Sequence, residues 1–338
     1  MNYLINIIVL TILIYLILYI FNNILEKKEH MNIQNTRLNK IFKENGFEID
    51  VDKFIIKKCE NNECLTKQYH SLNFNNLKSH LTAKNKPISN KIFKENNIPV
   101  PEHWIINKEN KNYYMNDFFL TFPCVLKPVD GMQGKDVNTF IKNKDQYIRI
   151  LNILLDKYDE IMLENQVYGD NYRIFLFNNQ VIDVIKREQP YIIGNNKDNI
   201  EKLIEQKNNL QKEKKLFPTT NIDWDYILEQ GYCNDSIPEN NKKIFITNTI
   251  NFHNGANPVR MDLTKIPKQN INIFIKAHKL INLECSGLDY MSRDIYIPYY
   301  INDGYIIEIN DMVDTKIHID ADNGADPNFL FENILKTF

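Results

Sequence analysis

The stretch Phe122-Pro123-Cys124-Val125-Leu126-Lys127-Pro128-Val129-Asp130-Gly131-Met132-Gln133-Gly134-Lys135-Asp136-Val137 constrains this chain more than any other. A short apolar run ends on a Lys-Pro pair, a glycine-bearing loop follows, and a second run opens at Val137. The pattern predicts a strand that delivers Lys127 at its end and a loop whose backbone folds over an anion between Gly131 and Gly134. Glycine permits positive φ and close backbone approach, and successive backbone N–H groups form a concave anion site. An ammonium beside such a nest suits a nucleotide phosphate. The G-x-x-x-x-G-K-[ST] spacing of a P-loop is absent, and a plain hairpin with a solvated lysine has the same pattern.

The chain has 338 residues, 43% hydrophobic and 25% charged, with a formal net charge of −2. That composition is globular and gives no electrostatic case for nucleic acid. Asn, Ile and Lys are abundant, as an A/T-rich coding sequence would give. The five cysteines (Cys59, Cys64, Cys124, Cys233 and Cys285) are odd in number and dispersed, which predicts reduced thiols in a cytosol-facing compartment. Cys59 and Cys64 are the only close pair, and no second ligand pair stands near them to complete a zinc site.

Residues 3–24 (YLINIIVLTILIYLILYIFNNI) are almost wholly apolar on every face. A helical span needs about 20 such residues. A basic n-region and a small-residue cleavage site, the marks of a signal peptide, are both absent. Lys27 and Lys28 follow the run, so the positive-inside rule leaves the rest of the chain in the cytoplasm. The expectation is a single-pass membrane anchor over 1–25, a short α/β segment over 26–79, and a large domain over 80–338 with lobes at about 80–160 and 161–338.

Within that domain strand and helix patterns alternate. Ile92 and Phe93 predict a helix that stops at Asn96-Asn97, and Ile98-Pro99-Val100-Pro101 breaks out as extended chain. Residues 144–156 have helical spacing, and Ile161-Met162-Leu163-Glu164 reads as a buried strand. Residues 172–177 and 181–185 form a hairpin across Asn178-Asn179. A charged helix or loop over 201–216, a strand over 244–250, an amphipathic helix over 270–283 and strands over 286–291 and 304–310 complete the pattern. The sum is an α/β or α+β, enzyme-like domain.

Side chains two apart in a strand share a face, so Glu308 and Asn310 point the same way from an otherwise apolar strand, and Asp289 ends a neighbouring one. Two carboxylates and an amide oxygen suit Mg²⁺, which completes its shell with water and phosphates. Ordinary polar residues at strand ends would read the same.

Several motifs occur together and in one order: Asn85-Lys86 with Ser89, 97–101, the 122–135 stretch, Leu163-Glu164, Gly169 with Tyr172-Arg173, Lys186-Arg187, Asn251 with Gly255, Asp289, and Ile307-Glu308-Ile309-Asn310. This combination resembles the ATP-grasp ligases of the cyanophycin synthetase and glutathione synthetase type, and it covers about residues 80–320. The resemblance implies an α+β ATP-grasp fold, two lobes gripping ATP, behind the N-terminal transmembrane helix. It implies that Lys86, Lys127, Gly131 and Gly134 hold phosphates, that Glu164 binds the adenine edge with Asn171 near the ribose, and that Asp289, Glu308 and Asn310 hold Mg²⁺ (two ions, with Mn²⁺ as a substitute). Arg173 and Arg187 would steady an acylphosphate or a second carboxylate; a structural salt bridge is the alternative. The implied reaction is ATP-dependent carboxylate–amine ligation of small amino-acid or peptide substrates, by a protein tied to a membrane, open to homo-oligomerisation and without a nucleic-acid partner.

The departures fall on the substrate side. Asn310-Asp311-Met312-Val313-Asp314 replaces the family's "N-x-x-P-G" or "N-P-A" loop, Gly194-Asn195-Asn196 replaces "G-D-G", and Ala256 replaces a second glycine. A catalytically silent nucleotide-binding scaffold and an ATP-grasp phosphotransferase are the rival readings.

Overall fold

The computed structural model describes residues 43–44, 46, 48–50, 55–60, 63–68, 75–115, 121–131, 134–214, 216–311, 313–314, 317–318 and 321. The expected membrane anchor at 3–24 lies outside the described residues. Among those residues, no helix is long and apolar enough to cross a membrane. The chain divides into two compact units, Met1–His70 and Ser71–Phe338.

In the first unit β1 (Glu48–Asp50), β2 (Ile55–Glu60) and β3 (Glu63–Gln68) form an antiparallel sheet in the order β1-β2-β3. Cys59 and Cys64 face each other across the β2–β3 hairpin, and Cys59 is disulfide-bonded. The expectation of reduced thiols holds at Cys124, Cys233 and Cys285 and fails at Cys59.

The second unit begins with α1 (Leu77–Lys84) and α2 (Lys86–Glu95). Strands β4 (His103–Ile106), β5 (Cys124–Pro128), β6 (Asn138–Ile141) and β7 (Ile161–Asn165) form an antiparallel sheet in the order β4-β7-β5-β6. A short helix, α3 (Lys111–Tyr114), follows β4. Helix α4 (Lys144–Lys157) covers one face of this sheet: Tyr147, Leu151, Leu154 and Leu155 pack on Leu126, Ile141, Ile161 and Leu163. The strands' alternate residues, Lys127 and Glu164 among them, therefore face the other way.

Strands β8 (Asp170–Phe177), β9 (Gln180–Glu188), β12 (Asn257–Arg260), β13 (Cys285–Ser292) and β14 (Tyr305–Asn310) make a second antiparallel sheet, ordered β12-β9-β8-β13-β14. Asn178 and Asn179 both adopt positive φ in the β8–β9 turn, as a two-residue hairpin requires. Helix α7 (Lys268–Ile281) packs Ile273, Phe274, Ala277 and Ile281 against Tyr172, Ile174, Leu176, Val184, Leu288, Tyr290 and Ile309. A small flank holds β10 (Tyr191–Ile193), β11 (Lys243–Phe245), α5 (Ile200–Glu213) and α6 (Trp224–Glu229) around Ile192, Leu203, Ile227 and Ile244. The strand expected over 244–250 is thus only three residues long, because it pairs with the equally short β10 alone.

Asparagine, read from composition as coding bias, is put to structural use. Asn76, Asn85, Asn143 and Asn199 accept from backbone N–H groups as helix N-caps, and Asn97 and Asn282 adopt the left-handed conformation.

Candidate nucleotide and metal site

Lys127 lies on β5 two residues beyond Val125, which pairs with Glu164 of β7. The two charged side chains are diagonal neighbours on one face, with Lys127 Nζ 2.7 Å from Glu164 Oε2 and both buried. Burying an ion pair costs desolvation that the mutual attraction need not repay, so stability alone does not explain it. The second carboxylate oxygen, Glu164 Oε1, is buried without a hydrogen-bond partner. It is an acceptor waiting for a donor.

Lys86 opens α2, after the Asn85 cap and before Pro87. Its Nζ donates to Gly131 O at 2.7 Å and Val129 O at 3.4 Å, and lies 3.9 Å from Glu308 Oε2. One ammonium thus joins the glycine loop to the end of β14. Gly134 has φ +71°, a conformation that favours glycine, and the space a Cβ would take lies 3.5 Å from Asn251 Nδ2. The 251–256 turn therefore faces the loop. Lys207 holds that turn from below, donating to Gln211 Oε1, Thr219 Oγ1 and Gly255 O; burial pulls its ammonium down to about 8.

The second sheet supplies the rest. Asn171 pairs with Arg187, Arg173 with Asp289, and Asp289 with Glu308, while Asn310 lies opposite Gly287. Directly paired residues share a face, and so do residues two apart. All six expected residues (Asn171, Arg173, Arg187, Asp289, Glu308 and Asn310) consequently stand on the face turned away from α7. Asp289 lies mid-strand and not at a strand end, since β13 runs on to Ser292.

The arginines are already engaged. Arg173 Nη1 donates to Asp289 Oδ1 at 2.8 Å, and Arg187 Nη2 lies 2.9 Å from the same oxygen. Arg187 Nε also donates to Asn171 Oδ1 at 2.6 Å. Burial raises the Asp289 carboxyl, but the guanidiniums of Arg187 and Arg173 outweigh it and hold the group at about 2. Asn310 donates its amide nitrogen to Glu308 Oε1 at 2.9 Å, so its carbonyl oxygen is not spent on that bond. Among the described residues no group of three or more His, Cys, Asp or Glu side chains could hold a metal by itself. Two opposed carboxylates and one amide instead make a partial hard-oxygen set, which fits an ion that keeps water and phosphate ligands.

Three features escaped the sequence reading. Gly287 leaves the space through which Arg173 reaches Asp289. Asp183, on the same face of β9, binds His318 Nδ1 at 2.9 Å and Arg260 Nη1 at 2.6 Å. The alternation of β9 from Arg187 would have placed Asp183 there. The altered loop is also split: Asp311 pairs with His80 of α1 at 2.6 Å, and Asp314 with His253 at 3.1 Å.

Residues 83–216 match the RimK-like ATP-grasp domain. Cyanophycin synthetase from Trichormus variabilis is 25% identical over 254 residues, spanning 73% of this chain and 28% of that protein. A bifunctional glutathione biosynthesis protein from Clostridium perfringens is 26% identical over 257 residues, spanning 71% of this chain and 32% of its own length. The chain thus spans about a third or less of these curated relatives. The crystal structure of a bifunctional glutathione synthetase from Pasteurella multocida superposes with a TM-score of 0.60 at 19% identity, over 86% of this chain and 41% of that one. This chain carries a RimK-like ATP-grasp domain on an ATP-grasp α+β fold, with cyanophycin synthetase and bifunctional glutathione synthetase among its homologues.

Proposed function

We propose that the chain is an ATP-dependent carboxylate–amine ligase that forms an amide through an acylphosphate. The observation that carries this reading is Lys86, whose ammonium bonds to the glycine loop while lying 3.9 Å from Glu308. Phosphates held by Lys86, Lys127 and the Gly131–Gly134 backbone would meet Asp289, Glu308 and Asn310 at one place. Glu164 Oε1, buried and unpartnered, suits the amino group of an adenine. Asn171 stands near the ribose, and Arg173 and Arg187 receive the anionic end of the second substrate. Bound Mg²⁺, one ion or two, or Mn²⁺ in its place, would neutralise the phosphate oxygens during transfer. The protein's own part is positioning and fixed charge, which dominate phosphoryl transfer.

The homologues' names support small amino-acid or peptide substrates. The test is a screen of acids with hydroxylamine as the amine. Hydroxamate with ADP supports the ligase; Mg-ATP binding without either product across the screen supports a silent nucleotide-binding module. That second reading is favoured by one observation, the engagement of both arginines with Asp289.

We also propose that residues 3–24 anchor the chain in a membrane with the ATP-grasp domain in the cytoplasm. The disulfide at Cys59 removes the cysteine argument for a reducing compartment, so this orientation rests on Lys27 and Lys28. Full-length chain recovered in the carbonate-resistant pellet, with the domain protected from external protease, is the expected result; a soluble or externally cleaved chain refutes it.

A further inference from the structure

One oxygen of Asp289 faces two full positive charges, the guanidiniums of Arg173 at 2.8 Å and Arg187 at 2.9 Å. That is the charge a divalent cation would bring to the same carboxylate. The arrangement is built into the sheet. Asp289 and Arg173 are each 8% exposed, and Arg187 is fixed at its other end by Asn171. A Cβ on Gly287 would lie 2.5 Å from the Arg173 guanidinium carbon, so any side chain there would displace the guanidinium from its present seat.

We propose that Arg173 and Arg187 are placeholder cations for Asp289. In the nucleotide-free chain they neutralise the carboxylate and hold it in line with Glu308. A metal-bound nucleotide draws Asp289 away from them, because two guanidiniums and a divalent cation around one carboxylate repel each other. The freed N–H donors then face the anionic end of the second substrate. No bond is made or broken in this exchange; only ion pairs are traded. It rests on the ligase reading above and adds an order to it, metal-nucleotide first and carboxylate substrate second.

The test is Mn²⁺ binding to the full chain in the presence of a non-hydrolysable ATP analogue, followed by electron paramagnetic resonance. Arg187→Met removes one placeholder. Gly287→Ala keeps both arginines but displaces the Arg173 guanidinium. Each variant is expected to bind Mn²⁺ on the order of tenfold more tightly than the natural chain, the size of a typical coupling between sites. Arg187→Lys keeps the charge and is expected to stay near the natural affinity. Unchanged or weaker Mn²⁺ binding in Arg187→Met and Gly287→Ala overturns the proposal, as does equal tightening by Arg187→Lys. Failure of the natural chain to bind Mn²⁺ with the analogue overturns the ligase reading itself and is told apart by that control.

Discussion

The five-stranded sheet turns two faces to two different environments. Toward α7 it shows Tyr172, Ile174, Leu176, Val184, Leu288, Tyr290 and Ile309, all buried. Toward the glycine loop the intervening residues of the same strands include Arg173, Asp183, Asp289 and Glu308, with Phe175 and Ile185 buried among them. Neighbours in sequence thus serve opposite ends: Leu288 and Tyr290 pack the core while Asp289 between them holds two arginines. Apolar burial contributes roughly 25 cal/mol per Å², whereas a buried ion pair is near neutral or costs stability. The apolar face carries the fold, and stability alone does not account for the charged groups on the other face.

Substitutions on the two faces should therefore separate activity from stability. Glu308→Gln on the polar face is expected to lower ADP formation by about a thousandfold or more, equivalent to several kcal/mol in barrier, with little change in the unfolding midpoint. Activity close to normal would remove Glu308 from the site. Phe274→Ala on α7 should do the reverse. Phe274 is fully buried and meets Tyr290 edge-on at 4.9 Å, so its loss should cost about 3–5 kcal/mol in urea unfolding. Nucleotide affinity per folded molecule should stay the same; a matching loss of affinity would show that the faces are not independent.

Acid should reach the apolar face first. His278 of α7 is fully buried beside Ser286, and burial lowers its imidazole to about 4. The unfolded chain takes up that proton first, so stability is full above about 6.5 and falls as pH drops toward 4, by on the order of 3 kcal/mol. His318, lowered by burial although Asp183 opposes the shift, adds to the same limb. Asp289 acts lower down. Its depressed carboxyl gives stability that persists above the ordinary aspartate range and is lost only as pH falls toward 2. Urea midpoints taken from pH 7.5 to 3 should show the upper limb, and His278→Asn should flatten part of it. An unchanged limb in that variant contradicts the assignment.

The smallest effect expected is at the loop. Gly134→Ala forces a Cβ onto φ +71° and should cost about 1–2 kcal/mol. It should also weaken nucleotide binding several-fold; an undiminished affinity would mean that the loop does not close on phosphate.

The apolar face was legible because alternation in β13 and β14, and the helical period of α7, are local patterns. The same alternation put Glu308 and Asn310 side by side. What joins them to the arginines was not legible, because Arg173 and Asp289 are 116 residues apart and meet only through the β8–β13 pairing. Gly287 gave no signal either, since a glycine inside a strand does not say whose side chain it makes room for. The strands β10 and β12 are too short for periodicity to declare them, and β11 was read as longer than it is. The Cys59 disulfide was missed by reading five dispersed thiols as one set.

The central claim is that the buried Lys127–Glu164 pair and the polar face of the second sheet together form an ATP site. The most direct measurement is the change in unfolding free energy when Mg-ATP is added to the natural chain and to Lys127→Ala. At about 100 times the dissociation constant, binding should stabilise the natural chain by roughly 2.7 kcal/mol, and Lys127→Ala should lose most of that increment. No stabilisation of the natural chain, or an equal increment in the variant, would contradict the account.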